Sequence, residues 1–234
     1  MSGISVIIPT YQHGKTIAAC LESLFAQTRP PEEILVVDDG GTDDTRARLA
    51  PYLDRIQYVF QENRGAPAAR MAGFSRSTGD LILFCDADVV AAPTLLEDLE
   101  RALALHPEAS YAYASFSLGR RRFRSHTFDA RALRSNNFIH TTSLIRRAHF
   151  PGFDLSLKRF QDWDLWLTML EQGRTGVFVD AFLFTVTHAR GRRGISQWLP
   201  EIAYRIPWKR LGWTPRRVQR YQEARRIIER KHSL

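Results

Sequence analysis

The chain has 234 residues, 44% of them hydrophobic, and 33 Lys and Arg against 25 Asp and Glu give a formal net charge of +8. That apolar content is enough for one substantial core and excludes a disordered chain, while the positive excess asks for an acidic partner: a phosphate-bearing substrate, an anionic lipid or nucleic acid. The only two cysteines, Cys20 and Cys85, suggest neither a disulfide framework nor a four-ligand zinc site and read as reduced core thiols.

Ile4 to Ile8 is a β-branched run closed by Pro9, and Ile34 to Val37 is another closed by Asp38, Asp39 and Gly40. Both predict buried parallel strands. Between them, Ile17, Cys20, Leu21 and Leu24 recur at helical spacing within Thr16 to Gln27, so the opening is a βαβ unit. Asp43, Asp44 and Thr45 supply capping chemistry for a helix ending near Pro51. A third strand is predicted over Ile56 to Phe60, a helix over Ala66 to Ser77, and a fourth strand over Leu81 to Cys85 that runs into Asp86-Ala87-Asp88. Pro93 starts a helix continuing to about Leu105.

Patterning weakens after Pro107, with a strand over Tyr111 to Leu118 and a solvated basic stretch over Arg120 to Arg124. Asp162 to Gln172 is amphipathic and helical, and Gly176 to Thr187, rich in Val, Phe and Thr, is a strand. The reading is one α/β domain over residues 1–190, in two halves of about 1–90 and about 91–190. A basic, aromatic, helical tail follows over 191–234.

Met1 to Pro9 has no leader pattern, and the best apolar run, Leu81 to Cys85, is stopped by Asp86 and Asp88 far short of a membrane span. A cytoplasmic chain is expected. The tail alternates Trp198, Tyr204, Trp208, Trp213 and Tyr221 with Lys209, Arg210, Arg216 and Arg217, a mixture suited to an anionic bilayer at the inner face of the cell membrane. Packing against the catalytic domain or a partner subunit is the other reading of the same face.

In an open α/β sheet, ligands bind beyond the carboxyl ends of the strands, and here those ends carry Thr10 and Tyr11, Asp38 and Asp39, then Asp86 and Asp88. Pro9 to Gly14 holds a single glycine, which disfavours a dinucleotide dehydrogenase, and the Walker lysine motif is absent. A carboxylate-rich rim cannot itself neutralise a diphosphate, so a divalent cation is implied.

Ser5-Val-Ile-Ile-Pro-Thr-Tyr11, Val36-Val-Asp-Asp-Gly-Gly-Thr-Asp43, Asn63-Arg-Gly65 through Arg70 and Gly73, and Gly79-Asp80 through Phe84-Cys-Asp-Ala-Asp88 together resemble the family-2 glycosyltransferases. A second block, Phe153-Asp154 and Phe160-Gln-Asp-Trp-Asp-Leu-Trp166, resembles that family's acceptor-side segment. The resemblance implies a GT-A (Rossmann-like) fold with a mixed, mostly parallel sheet flanked by helices. It implies inverting transfer of a sugar from a nucleotide-diphosphate sugar to a glycan or lipid-linked hydroxyl acceptor.

By the same resemblance Pro9, Thr10 and Tyr11 flank the nucleotide base, Asp39 accepts from a base N–H, Asp38 supports the loop or ribose, and Arg70 lies near the nucleotide. For Asp38 and Asp39 a turn after a strand, and for Arg70 a surface salt bridge, are the alternatives. Asp86-Ala87-Asp88 resembles the DxD motif, whose carboxylates face one Mn²⁺ or Mg²⁺ and the diphosphate, with Asp88 the leading ligand, Asp86 beside it and His188 a third candidate. Inversion needs a base, for which Asp162 is the candidate and Asp164 its neighbour two residues on. The family has Glu-Asp where this chain has Gln161-Asp162, and Asp162 could instead serve as a helix N-cap. His140, Thr141, Thr142, Gln161 and Trp163 fall on the acceptor side. Other readings of this rim are a sugar-nucleotide binding protein without catalysis and a GT-A-like nucleotidyltransferase. A nucleic-acid binder leaves the acidic rim unexplained.

Overall fold

The computed structural model describes residues 3–187, 206, 208 and 213–234. The chain opens with β1 (Ile4–Thr10), α1 (Ile17–Phe25), β2 (Glu33–Asp39), α2 (Thr45–Leu49), β3 (Gln57–Gln61), α3 (Ala66–Phe74) and β4 (Leu81–Phe84). It continues through β5 (Val89–Ala91), α4 (Leu95–Leu105), β6 (Tyr111–Leu118), β7 (Arg121–Phe123), α5 (Ala130–Ser135) and β8 (Leu144–Arg146). Helix α6 (Gln161–Glu171), strand β9 (Gly176–Val186) and helix α7 (Arg216–Lys231) complete the described elements.

These strands form one sheet in the order β3-β2-β1-β4-β8-β6-β9-β5, with β7 paired to β6. The first four are mutually parallel, with Ile7 opposite Leu35 on one side and Phe84 on the other. Strand β8 is antiparallel to both β4 and β6, so β6 and its parallel partner β9 run the same way as β4. The carboxyl ends of β1, β2, β3, β4, β6 and β9 therefore share one rim, the place where such sheets bind ligands.

Alternation along β1 assigns its side chains to two cores, as a strand buried on both faces requires. Val6 and Ile8 pack with Ile17, Leu21 and Leu24 of α1 and Leu95, Leu96 and Leu99 of α4. Ile7 packs on the other face with Phe84, Trp163 and Trp166 and with Ile228 of α7. Helix α3 lies on that face because Gly73 lets it: a Cβ there would sit 2.4 Å from Ile7 Cγ2. Cys20 and Cys85 are buried free thiols with their sulfurs 3.9 Å apart.

Two local expectations need revision. The helix predicted over Ala66 to Ser77 stops at Phe74, where the side chains of Ser75 and Ser77 bond back to carbonyls of the last turn. Part of the basic stretch Arg120 to Arg124 is strand β7, since Phe123 stacks on Phe116 across the pair at 5.1 Å. The short strands β5 and β8 have no periodicity of their own and owe their conformation to β9, β4 and β6.

Candidate functional site

At the rim, the tip of β2 is knitted to its neighbours by carboxylates. Asp38, 2% exposed, accepts from Gly41 N at 2.8 Å and from the Tyr58 hydroxyl at 2.9 Å, and so supports the loop. Asp39 accepts from Gln61 Nε2 at 2.7 Å, Arg64 N at 2.9 Å and Gly65 N at 2.8 Å, which fixes the Asn63-Arg-Gly turn. A carboxylate has about four lone-pair positions, so one remains for a further donor. Gln12 was not anticipated. Held at a positive φ of 59°, it accepts from Thr42 N and Asp43 N and donates to the Thr42 hydroxyl, clamping the loop after β1 to the loop after β2. Pro9 and Thr10 end β1, and Tyr11 stands beyond them 43% exposed.

The rim's centre is Arg70. Its side chain lies on α3, 6% exposed, and donates to Asp86 Oδ1 at 2.6 Å and to Gln161 Oε1 at 3.3 Å. It is not a surface salt bridge. Burial alone would raise the Asp86 carboxyl, but Arg70, with His140 and His13 adding to it, holds that group below its ordinary value. Asp88 is tied in through its carbonyl, which accepts from both the amide and the hydroxyl of Thr187 at the end of β9. Ala87 is fully buried in the core between them, so its side chain faces away from any donor.

Asp162 reaches the same cluster from α6. Phe160, with φ +58°, precedes this helix as its cap residue, so Asp162 is not the N-cap but a first-turn residue whose Oδ1 accepts from Trp163 N at 2.9 Å. Its Oδ2 accepts from Asn137 Nδ2 at 2.8 Å. Burial raises the Asp162 carboxyl above its ordinary value, although the Trp163 amide and Arg70 oppose the rise; Asp86 adds to it. That is the direction a general base working near neutral pH needs. Asn137 is the second residue the sequence did not suggest.

Asp164 is placed elsewhere. It is 3% exposed and held by His232 Nε2 at 2.9 Å and Lys231 Nζ at 2.8 Å, so it anchors α7 and is no candidate base. Trp163, 1% exposed, donates its indole N–H to Leu133 O at 2.7 Å; it is core, not an acceptor contact. His140 does join the cluster. Its Nδ1 accepts from Thr142 N at 3.0 Å, its ring packs on Phe116 and Phe184, and burial pushes it down to about 4, with Asp86 opposing and Arg70 reinforcing the shift. Thr141 and Thr142 follow it, 6% and 1% exposed. His188 lies outside the described residues, as do Trp198, Tyr204, Lys209 and Arg210 of the tail.

Three buried polar atoms of this rim, Thr10 Oγ1, Arg70 Nε and Thr142 Oγ1, have no hydrogen-bond partner among the described residues. Each costs about 1–3 kcal/mol if left unpaired, so the rim is chemically suited to a polar ligand. Asp86 and Asp88 offer the oxygen donors a hard divalent cation prefers. Among the described residues no group of three or more His, Cys, Asp or Glu side chains could hold one.

Residues 5–165 match the family model described as glycosyl transferase family 2. An uncharacterized glycosyltransferase of Nostoc, alr2836, is 40% identical over 100 residues, covering 40% of this chain and 30% of that protein. This chain thus aligns with less than a third of that relative's length. Among solved structures, Staphylococcus aureus TarS 1-349 in complex with UDP-GlcNAc superposes with a TM-score of 0.69 at 22% identity, over 87% of this chain and 64% of that one. The mannosyltransferase PcManGT of Pyrobaculum calidifontis, in complex with GDP-Man and Mn²⁺, gives a TM-score of 0.64 at 19% identity, over 83% and 59%. With these neighbours the mixed, mostly parallel sheet flanked by helices is the GT-A architecture.

Proposed function

Because the chain belongs to glycosyl transferase family 2, we propose that it transfers a sugar, with inversion, from a nucleotide-diphosphate sugar to a hydroxyl of a glycan or lipid-linked acceptor in cell-surface polysaccharide synthesis. One observation carries this reading: Arg70 joins Asp86 to Gln161, the residue before Asp162, which supports a diphosphate site and a proton acceptor lying on one rim. Thr10, Tyr11, Asp38 and Asp39 would line the nucleotide, with Gln12 holding the two loops together. Asp88 and Asp86 would hold Mn²⁺ or Mg²⁺, as fits their oxygen chemistry and the Mn²⁺ named in the PcManGT complex. That ion would stabilise charge on the departing nucleotide diphosphate.

Asp162 takes the proton from the incoming hydroxyl. Its raised carboxyl matches that task, and Asn137 fixes the orientation of the oxygen pair. His140, neutral at pH 7 by its depressed value, would face the acceptor with Thr141 and Thr142 as a hydrogen-bonding wall. Arg216, Arg217, Arg220, Arg226 and Arg230 are exposed on α7, and Trp213 before it is 65% exposed; this face supports contact with an anionic inner-membrane surface. Among the described residues no helix is long and apolar enough to cross a membrane.

The test is a screen of UDP-, GDP- and dTDP-sugars for released nucleotide, with and without Mn²⁺, followed by the anomeric configuration of the product. Cation-dependent release from one donor class supports the reading. Turnover of no donor, or turnover indifferent to cation removal, speaks against it. Gln161 in place of the family's Glu favours a second reading, a sugar-nucleotide binder without catalysis, which would bind donor tightly yet release nothing.

A further inference from the structure

Helix α7 does not pack at random on the domain. Val218 and Ile228 are fully buried, and the helix's polar and aromatic contacts fall on the two segments that flank Asp162. On one side, Arg225 Nη2 donates to Ser135 O at 2.8 Å, at the end of α5 and two residues before Asn137. On the other, the Arg225 guanidinium lies 5.3 Å from the centre of the Trp163 ring, and Tyr221 meets Phe160 edge to face at 5.3 Å. Trp163 in turn donates to Leu133 O, closing α5 onto α6.

Phe160 is where the chain is strained. A non-glycine residue at positive φ costs about 1 kcal/mol or more and persists only where its surroundings hold it. Here the rings of Trp163, at 5.7 Å, and Tyr221 hold it, and the strained residue sets the direction in which Gln161 and Asp162 leave the loop.

The far end of α7 is locked as firmly. His232, 5% exposed, places Nε2 at 2.9 Å from Asp164 and Nδ1 at 2.8 Å from Glu171. The ring thus bridges two acids of α6. Lys231 adds a cation, bonded to Asp164 and to Asp154. Arg225 thus ties α7 to the end of α5, while Tyr221, Lys231 and His232 hold it against α6 and the segment before it, and the one carboxylate of the first turn of α6 left for the rim is Asp162.

We propose that the C-terminal helix is a brace for the Asp162 carboxylate, with Asn137 as the direct positioning residue and Arg225 and His232 acting on it through α5 and α6. The proposal rests on Asp162 being the base. A positioning error of about 1 Å can cost on the order of 100-fold in rate, so a brace made of a few bonds is catalytically significant. Arg225 and His232 bond to Ser135 of α5 and to Asp164 and Glu171 of α6, so their loss should fall on transfer rather than on donor binding.

The test uses the full chain with four variants: Asp162→Asn, Asn137→Ala, Arg225→Met and His232→Gln. Sugar-nucleotide turnover against pH, the donor KM and amide hydrogen exchange over residues 160–164 are measured for each. Arg225→Met and His232→Gln should lower kcat about tenfold at unchanged donor KM, while exchange at 160–164 rises. Asn137→Ala removes a donor to the carboxylate, so the acid limb of kcat should move to higher pH, which loss of packing alone would not do. Unchanged kcat in Arg225→Met, or an acid limb in Asn137→Ala that stays in place, overturns the brace even if Asp162→Asn is inactive. Full activity in Asp162→Asn overturns the base reading itself. If Arg225→Met does not fold, Asn137→Ala still decides.

Discussion

Gln161, the first residue of α6, accepts a hydrogen bond from Arg70 of α3 at 3.3 Å, and so ties the two helices across the rim with a neutral side chain. Among the described residues Arg70 is left with one charged partner, Asp86 at 2.6 Å. In Gln161→Glu a second carboxylate would compete for the guanidinium and add negative charge next to Asp162. Both effects raise the Asp162 carboxyl. The acid limb of the rate profile should move to higher pH, with little change at alkaline pH. Initial rates across pH 5 to 9 check this.

Arg70 itself should be indispensable. Arg70→Ala leaves Asp86 half-buried without its cation and unties Gln161, so turnover should fall by about 100-fold or more. Arg70→Lys should recover little, because an ammonium cannot span both partners as the planar fork does. A thermal melt separates the two losses: a small drop in Tm with a large drop in kcat marks the site, the reverse marks the core.

Asp162 titrates in the direction that matters for a base. Its burial raises it above the ordinary carboxylate value, and the working form is the ionised one, so wild-type turnover should fall as pH drops, starting above the usual carboxylate range. Asp162→Asn should lose about 1000-fold in transfer while the donor still binds. Isothermal titration with donor and Mn²⁺, set against transfer rates, tells binding from chemistry.

Much of this was legible in the chain and some of it was not, for physical reasons. Ile4 to Ile8 and Leu81 to Cys85 announce themselves because strands buried on both faces are continuous apolar runs, and Asp86 and Asp88 fall where such a strand must end. The choice between Asp162 and Asp164 could not be made locally. It is settled by His232, 68 residues further on, which takes one of the two carboxylates. Asn137 sits after the six-residue helix α5, in a region with neither helical nor strand periodicity, and its role exists only because α6 arrives beside it. Ala87 and Trp163 share a motif with functional neighbours but point into the core, a distinction that motif matching does not draw.

His140 should make stability depend on pH. Its folded value, about 4, is below the ordinary 6.5, so the unfolded chain binds the proton first as pH falls. Its contribution is fully present above pH 6.5 and is lost between 6.5 and 4, amounting to about 3 kcal/mol. His140→Asn, which keeps an acceptor for the Thr142 amide, should flatten that part of the profile. Denaturant midpoints at pH 7 and pH 4.5 for both proteins give the comparison, and an equal loss in each would show that other groups dominate.

Gly73 tests the packing that places Arg70. On propensity alone Gly73→Ala should stabilise α3 by roughly 0.5–1 kcal/mol. The added Cβ, however, would lie 2.4 Å from Ile7 Cγ2 and 3.2 Å from Val37 Cγ2, on two central strands that cannot yield easily. Overpacking of this kind costs about 1–3 kcal/mol, so the net change should be destabilising. The helix would also be lifted from the sheet, carrying Arg70 away from Asp86, so kcat should fall with stability. Ile7→Ala removes the obstructing methyl, and in the double variant the second substitution should cost less than it does alone. Additive losses in that cycle would mean that α3 shifts freely and that the contact with Ile7 does not set the position of Arg70.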